Sequence, residues 1–276
     1  MFEKTTGFRL FFWIALIAIG LFVFFPLYWM LNTALKPHTE TFTLSFVPEH
    51  LTFSNFVNVI LDKSIMMYLR NSLYVSIVSS FFTMVISAYA GYSFSKYRYR
   101  GRTSFMMLIL LSKMFPHAIL LLTIYTMMKS YGLLDHYLSL ILAFVTFSLP
   151  VGTWTMKAYF DQLPDAIIES AKIDGASQLT IIHRIIAPLA VPGLVSTAIY
   201  GFVWSWNDLL YSLTLVTSPE KRTLAPGLIL NYISEFQESW GAMMAASIVV
   251  SIPVTLMFIF LQRYFIQGLT SGAVKG

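Results

Sequence analysis

The sequence predicts an all-α polytopic membrane protein with six transmembrane helices and one helix–turn–helix on the cytoplasmic side. Three observations carry this expectation. Of 276 residues, 57% are hydrophobic and only 11% charged, with a mean hydropathy of +0.70, far from the balance of a soluble domain. Six windows meet or approach the ~20 apolar residues that cross a hydrocarbon core. The Lys and Arg residues gather at the ends of those windows.

In chain order the windows are 10–31, 72–94, 103–128, 138–156, 189–211 and 242–262. The first follows Lys4 and Arg9, as the core of a secretory signal would. Its apolar run is about twice the usual signal core and no small-residue cleavage site follows, so it is read as a span. After the second window, "SKYRYRGR" carries Lys96, Arg98, Arg100 and Arg102, which sets that connection in the cytoplasm. Both termini and segment 157–188 then share that side. Eleven of the 18 Lys and Arg residues fall inside by this assignment, six outside and one, Lys113, within a span. The outer segments, 33–70 and 212–241, are mixed in charge and are expected to hold short interfacial helices.

The net charge of +5 does not indicate a nucleic-acid partner, because the basic residues flank apolar spans and do not line a polar face. With no cysteine there is no disulfide, thiolate metal site or cysteine nucleophile. No interval between spans is long enough to bury its own core, so the chain reads as one transmembrane domain, 1–276, with the loop 157–188 inside it. Pro26, Pro116, Pro150, Pro192 and Pro253 show none of the paired span breaks of inverted-repeat carriers.

The loop stands out by its polarity, with Asp161, Asp165, Glu169 and Asp174 set between two apolar spans. Pro164 suits a first helical position, Asp165 and Glu169 favour the early turns of a helix, and Ile167, Ile168 and Ala171 supply its apolar side. A helix of two to three turns is expected, closed at Asp174–Gly175, with Ser177 capping a second helix. In that second helix Leu179, Ile182, Ile186 and Leu189 recur at helical spacing, with His183 and Arg184 turned elsewhere. Four acids against Lys157, Lys172 and Arg184 disfavour a loop lying on anionic headgroups and favour a protein partner.

The stretch "ESAKIDGASQLTIIHRIIAPL" resembles the EAA loop of permease subunits of ATP-binding-cassette importers. That pattern is Glu-Ala-Ala, three variable positions, Gly, then nine residues before Ile-x-Leu-Pro. Glu169, Ala171, Gly175, Ile185 and Pro188 match it, and Asp174 and Ala176 fit its common Asp-Gly-Ala version. Ser170 stands where the first Ala would be, and Ala187 where the Leu would be. "FFPLYWMLNTALKP", "FVWSWNDLLYSL" and "FIQGLTSGAVKG" resemble, in the same order, the carbohydrate-uptake branch, close to the second permease of maltose-type importers.

The resemblance implies the importer permease fold, in a bacterial or archaeal cell membrane. Its partners would be a second permease subunit, two ATP-binding subunits, an extracytoplasmic solute-binding protein and a sugar. The helix 164–173 would seat in an ATPase cleft, with Glu169 in a charge-assisted contact and Gly175 at the turn. Glu169 equally favours its own helix N-terminus. Pro188 is expected to separate the loop from span five. An autonomous ion-coupled sugar carrier is the competing reading.

Polar groups inside the spans mark a candidate translocation path. Asp208, Asn207, Trp204 and Trp206 lie toward the outer end of span five. Amide and carboxylate groups bond sugar hydroxyls and indoles stack on sugar rings, although the same set suits an interfacial aromatic belt. Lys113, beside Pro116 and His117, sits at mid-span, where a half-unwound helix would serve a structural or gating role; the other reading is a snorkelling or internally paired lysine. Asp208 pairs with it only if tilt removes a depth difference of roughly 12 Å.

The sequence holds no phosphate-binding Gly-x-x-x-x-Gly-Lys-Ser/Thr loop, no His-Glu-x-x-His pair and no Gly-x-Ser-x-Gly elbow. No catalytic residue, metal ligand or cofactor is therefore expected. The tail 263–276, with Gly268, Gly272, Gly276 and Lys275, reads from composition as frayed coil, and by resemblance as a segment that reaches the ATPase.

Overall fold

The structure, a computed structural model, describes residues 6–232 and 240–273, with side chains through Tyr264. Among these residues every regular element is helical. Four helices are long and apolar enough to cross a membrane: α1 (Thr6–Ala34), α3 (Lys63–Lys96), α6 (Tyr137–Phe160) and the Trp240–Tyr264 part of α13 (Trp240–Ala273). They enclose the first, second, fourth and sixth windows. The third and fifth are each a bent pair, and six spans result if each pair counts as one.

The third window is the larger departure from a straight span. α4 (Arg102–Leu111) passes through a 3₁₀ turn at Ser112–Met114 to α5 (His117–Ser130), with a bend of 101°. Pro116 supplies the reason: it lacks a backbone donor and holds Phe115 extended at ψ 128°. The half-unwound helix expected around Lys113, Pro116 and His117 is thus present. In the fifth window α10 (Val191–Trp206) ends at Asn207, and α11 (Leu210–Leu215) follows.

The chain divides into two units, residues 1–66 with 228–252, and 67–227 with 253–276. The first unit holds α1, α2 (Ser54–Leu61) and part of α12 (Leu224–Tyr232). One face of α1 organises the loop that follows it. Tyr28, Asn32 and Lys36, spaced by four, point at the same carbonyl cluster. The Tyr28 hydroxyl donates to Phe46 O, Asn32 Nδ2 to Ser45 O (3.1 Å), and Lys36 Nζ to Thr43 O and Ser45 O (2.8 and 3.0 Å). Lys36 is 1% exposed, so its ammonium is neutralised by backbone dipoles and stands 5.4 Å from the Trp29 ring. The string containing these three residues reads in the sequence only as a family signature; the i, i+4, i+8 spacing is the signal that explains it. Glu40 and His50 close the loop at 2.5 Å.

In the second unit α6 is the central helix. Leu140, Phe144 and Phe147 pack with Met128 of α5, and with Tyr211 and Leu215 of α11. α3 meets α6 and α10 through small residues. A Cβ on Gly91 would stand 2.6 Å from Met156 Cβ, so only glycine allows this approach. Ser76, Ser79, Ser80, Thr83 and Ser87 are buried along α3, and Ser80 Oγ donates to Ala198 O at 2.6 Å. Without water to expel, helices in a bilayer gain from such close contact and interhelical hydrogen bonds.

One expectation fails at the C-terminus. α13 continues through Gly268 and Gly272 to Ala273, so these glycines do not end it. Each costs about 1 kcal/mol relative to Ala, which a helix already nucleated by a long span absorbs. Lys275 and Gly276 lie outside the described residues.

Candidate functional site

The loop between α6 and α10 is a helix–turn–helix bolted to the ends of α3 and α6. α7 (Asp165–Ile173) begins one residue later than expected, with Pro164 at the cap at ψ 131°, outside the helix. Two of the four acids serve as fasteners. Lys157 Nζ and Ser95 Oγ donate to the Asp161 carboxylate at 2.6 and 2.7 Å; Lys96 Nζ donates to Asp165 Oδ1 at 2.6 Å and to Leu163 O at 2.7 Å. Burial alone would raise the Asp161 carboxyl, but the Lys157 and Ser95 hydrogen bonds outweigh it and the pKa is lowered. Asp165 is lowered by its bond to Lys96.

Beneath these ties lies a small core. Ile168 and Ala171 of α7 and Ile181 and Ile186 beyond the turn pack on Tyr92, Met156 and Phe160. Ala176 and Ile185 border it half-buried. The turn is a Schellman motif: Ala176 N donates to Ala171 O (3.0 Å), Gly175 N to Lys172 O (3.1 Å), and Gly175 has φ +79°. Ser177 caps α8 (Gln178–Thr180), its Oγ accepting from Thr180 N at 3.3 Å.

The second helix departs from the expected spacing. Residues Ile181–Ile186 form a π-helix leading into α9 (Ala187–Leu189). The two residues that bury fully are Ile181 and Ile186, five apart, while Leu179 and Leu189 turn out to 63% and 43% exposure. The 3.6-residue pattern foresees Ile186 but not Ile181, and misplaces Leu179 and Leu189. Pro188, whose ring crowds the carbonyl four residues back and which has no N–H, favours the wider turn before it. The chain then turns 81° at Ala190 into α10, with Pro192 in the first turn of the new helix. Pro188 is therefore in α9, and Ala190 is the junction.

Two further bonds join α3 to the loop: Gln178 Nε2 donates to the Tyr92 hydroxyl (3.0 Å), and Tyr89 pairs with His183 Nε2 (2.8 Å). His183 Nδ1 faces Leu179 O at 2.9 Å. A carbonyl only accepts, so Nδ1 carries the proton and in the neutral ring Nε2 accepts from Tyr89.

The rest of the motif faces solvent. Glu169, Asp174 and Gly175 are exposed, and no ion pair reaches either acid among the described residues. Ile173 is 86% exposed beside them. Sequence reading missed Ile173 and turned Leu179 inward; an apolar residue immediately before Asp-Gly, off the apolar side of α7, was the available signal for Ile173.

The residues of the candidate path are only partly together. Lys113 Nζ lies 4.0 Å from the Trp204 ring centroid, and the His117 ring lies 4.9 Å from it. Trp204, Asn207 and Asp208 line one open depression with Tyr200. Trp206 does not join them: it is 7% exposed and stacked on Phe202 at 5.3 Å. The Lys113–Asp208 pairing is also absent among the described residues. Asp208 Oδ1 accepts from Ser212 N (2.9 Å) and so caps α11, while Asn207 Nδ2 donates to Val203 O within its own helix (2.9 Å).

Between α5 and α6, Asp135 takes a role the sequence did not suggest. At φ +60° its carboxylate accepts from Thr217 N, Ser218 N, Ser218 Oγ and Lys221 Nζ, between 2.6 and 3.1 Å. These bonds, led by Ser218, hold its pKa far below the usual carboxylate range.

Residues 83–271 match the family model described as "Binding-protein-dependent transport system inner membrane component". The diacetylchitobiose uptake system permease protein DasC of Streptomyces coelicolor is 33% identical, over 96% of this chain and 97% of its own. The trehalose transport system permease protein SugB of Mycobacterium tuberculosis is 34% identical, over 91% and 92%. The solved structure of a bacterial ABC transporter involved in the import of the acidic polysaccharide alginate superposes with a TM-score of 0.82. It covers 96% of this chain and 100% of its own at 21% identity, a likeness of fold.

Proposed function

From the premise that this chain belongs to the family of binding-protein-dependent transport system inner membrane components, we propose that it is a sugar-translocating permease subunit of an ATP-driven importer. It is a multi-pass membrane protein of that family. In this reading the whole chain is one permease domain of six spans, both termini are cytoplasmic, and a second permease completes the path. Two ATP-binding subunits engage segment 157–188 from the cytoplasm, and an extracytoplasmic binding protein delivers an oligosaccharide. The sugar class rests on the named substrates of the relatives.

The observation that carries the coupling role is the division within the loop. Asp161, Asp165 and the Ile181/Ile186 core tie it to α3 and α6, while Glu169, Ile173, Asp174 and Leu179 are exposed, with no ion pair at either acid among the described residues. An apolar tip of this kind, flanked by free carboxylates, suits a cleft on another protein. Ala171, Ala176 and Ile185 support the tip and do not form it. Lys113, Trp204, Asn207 and Asp208 are the candidate sugar-facing set, with Trp206 as packing.

The chain has no cysteine, so Ile173→Cys supplies a single thiol. Oxidative cross-linking to cysteines on the cleft of the partner ATPase, with and without ATP, should give a nucleotide-dependent yield. Sugar uptake by the purified chain alone, driven by an ion gradient, would instead establish the autonomous carrier.

A further inference from the structure

Two of the spans are broken, and the breaks meet. Lys113 Nζ and the His117 ring, on either side of Pro116, lie 4.0 and 4.9 Å from the ring centroid of Trp204 in the last turn of α10. In an unbroken span the backbone hydrogen bonds carry the direction of one half into the other. At Pro116 that continuity is lost, since the chain bends by 101° and Phe115 is extended. The direction of α5 is then set by what its first turn touches. The hydroxyls of Thr126 and Ser130 do not set it, because they donate to carbonyls of α5 itself.

Tyr211 reaches that first turn. Its hydroxyl donates to His117 O at 2.7 Å, and its ring packs on Phe147 at 5.0 Å; Phe147 in turn lies 4.7 Å from the His117 ring. Tyr211 itself is 2% exposed, so solvent does not compete for the hydroxyl. The helix that carries it is a post held at both ends. At the start of α11 Asp208 Oδ1 accepts from Ser212 N at 2.9 Å, and at its end Leu215 O accepts from Asp135 N at 2.8 Å. The Asp135 carboxylate holds Thr217 N and Ser218 N just beyond.

We infer that Tyr211 is a positioning residue: its hydroxyl sets the direction of α5 from α11, and so holds His117 against the Trp204 ring that Lys113 shares. Asp208 lines the open depression beside Trp204, so the carboxylate that seats the post is also one that a sugar hydroxyl would meet. The latch stands without the transport reading; the step from the latch to a response to sugar rests on it.

The test compares wild type with Tyr211→Phe, which keeps the ring on Phe147 and removes the donor, in the full chain assembled with its partners in nanodiscs. Hydrogen–deuterium exchange reads the latch. Amides 118–122 should exchange about fivefold faster in the variant, as loss of one hydrogen bond allows, while those of α6 keep their rates. ATP hydrolysis reads the consequence, with maltose, trehalose and N,N′-diacetylchitobiose as probes. For whichever probe stimulates, the ratio of sugar-stimulated to sugar-free hydrolysis should fall about fivefold. Tyr211→4-aminophenylalanine, which restores a donor, should return it. Unchanged exchange at 118–122 overturns the latch, whether or not a probe stimulates. Faster exchange with an unaltered ratio overturns the positioning role, since a core that is only destabilised lowers both rates together. A wild-type complex that answers to none of the probes counts against the sugar reading alone, and the exchange still decides the latch.

Discussion

The Lys113 ammonium lies 4.0 Å from the centroid of the Trp204 ring, so the charge inside the broken third window rests on an indole face. No carboxylate pairs with it among the described residues. Cation–π contacts are worth about 2 kcal/mol when desolvated. Trp204→Leu should therefore lower the melting temperature more than Lys113→Met does, because it strands an ammonium while the methionine strands nothing. The double variant should recover part of the loss, with a coupling of about 1–2 kcal/mol. The swap Lys113→Asp with Asp208→Lys should fail to restore uptake; restoration would mean that the two charges meet during the cycle.

The loop's tip and core predict opposite phenotypes. Ile173→Ser should leave thermal stability unchanged and reduce co-purification of the ATPase. Ile181→Ser, at a position with no exposure, should cost about 2–4 kcal/mol and destabilise the loop itself. Thermal melts alongside pull-down yields separate the two.

At Gly175 the backbone requires φ +79°. Gly175→Val should cost about 1–2 kcal/mol and loosen the Schellman turn, while Gly175→Asn should cost less because asparagine tolerates the left-handed region. Limited proteolysis between 173 and 178 reads the difference.

The Glu40–His50 pair makes the loop after α1 pH-sensitive. The hydrogen bond to Glu40 raises the His50 pKa, and the same bond lowers that of Glu40. The histidine contribution is complete below its ordinary value of 6.5 and is lost as pH rises through the raised value. The glutamate contribution is complete above 4.5 and is lost as pH falls through the lowered one. Loop stability should thus be greatest between those ordinary values, and His50→Gln should flatten the profile. An unchanged profile in proteolysis at pH 5 to 8 would refute the pairing.

Asp135 should tolerate asparagine better than valine. Asn keeps the left-handed φ and one acceptor but loses the charge facing Lys221; Val loses everything. Protease added to the detergent-purified protein should nick segment 216–222 slowly in the wild type, faster in Asp135→Asn and fastest in Asp135→Val.

The spans, the short helix after Pro164, the Gly175 turn and the Ser177 cap were legible, because each rests on local chemistry within a few residues. What was not legible depends on distance or on backbone phase. The 3.6-residue pattern places Ile186 inside, as found, but the π-helix buries Ile181, which that pattern left out, and turns Leu179 and Leu189 outward. Trp206 looked like a partner of Trp204 until the helix turned its ring onto Phe202. Asp135 reaches residues more than 80 positions away, and its neighbours in sequence announce nothing. Pro116 did announce the break that the apolar run concealed.

The near right angle at Ala190 gives the loop a bell crank's geometry. Twelve residues of Gln178–Leu189 make one arm of about 18 Å, and sixteen of α10 make the other, about 24 Å. A crank turns a push on one arm into travel perpendicular to it, in proportion to arm length. If the joint at Ala190 turned as a rigid pivot, each ångström of tug on the short arm would sweep the far end of α10, with Trp204 near it, through about 1.3 Å. The mechanical advantage is below one: force is traded for travel, and stiffness at the pivot sets how much of the stroke arrives.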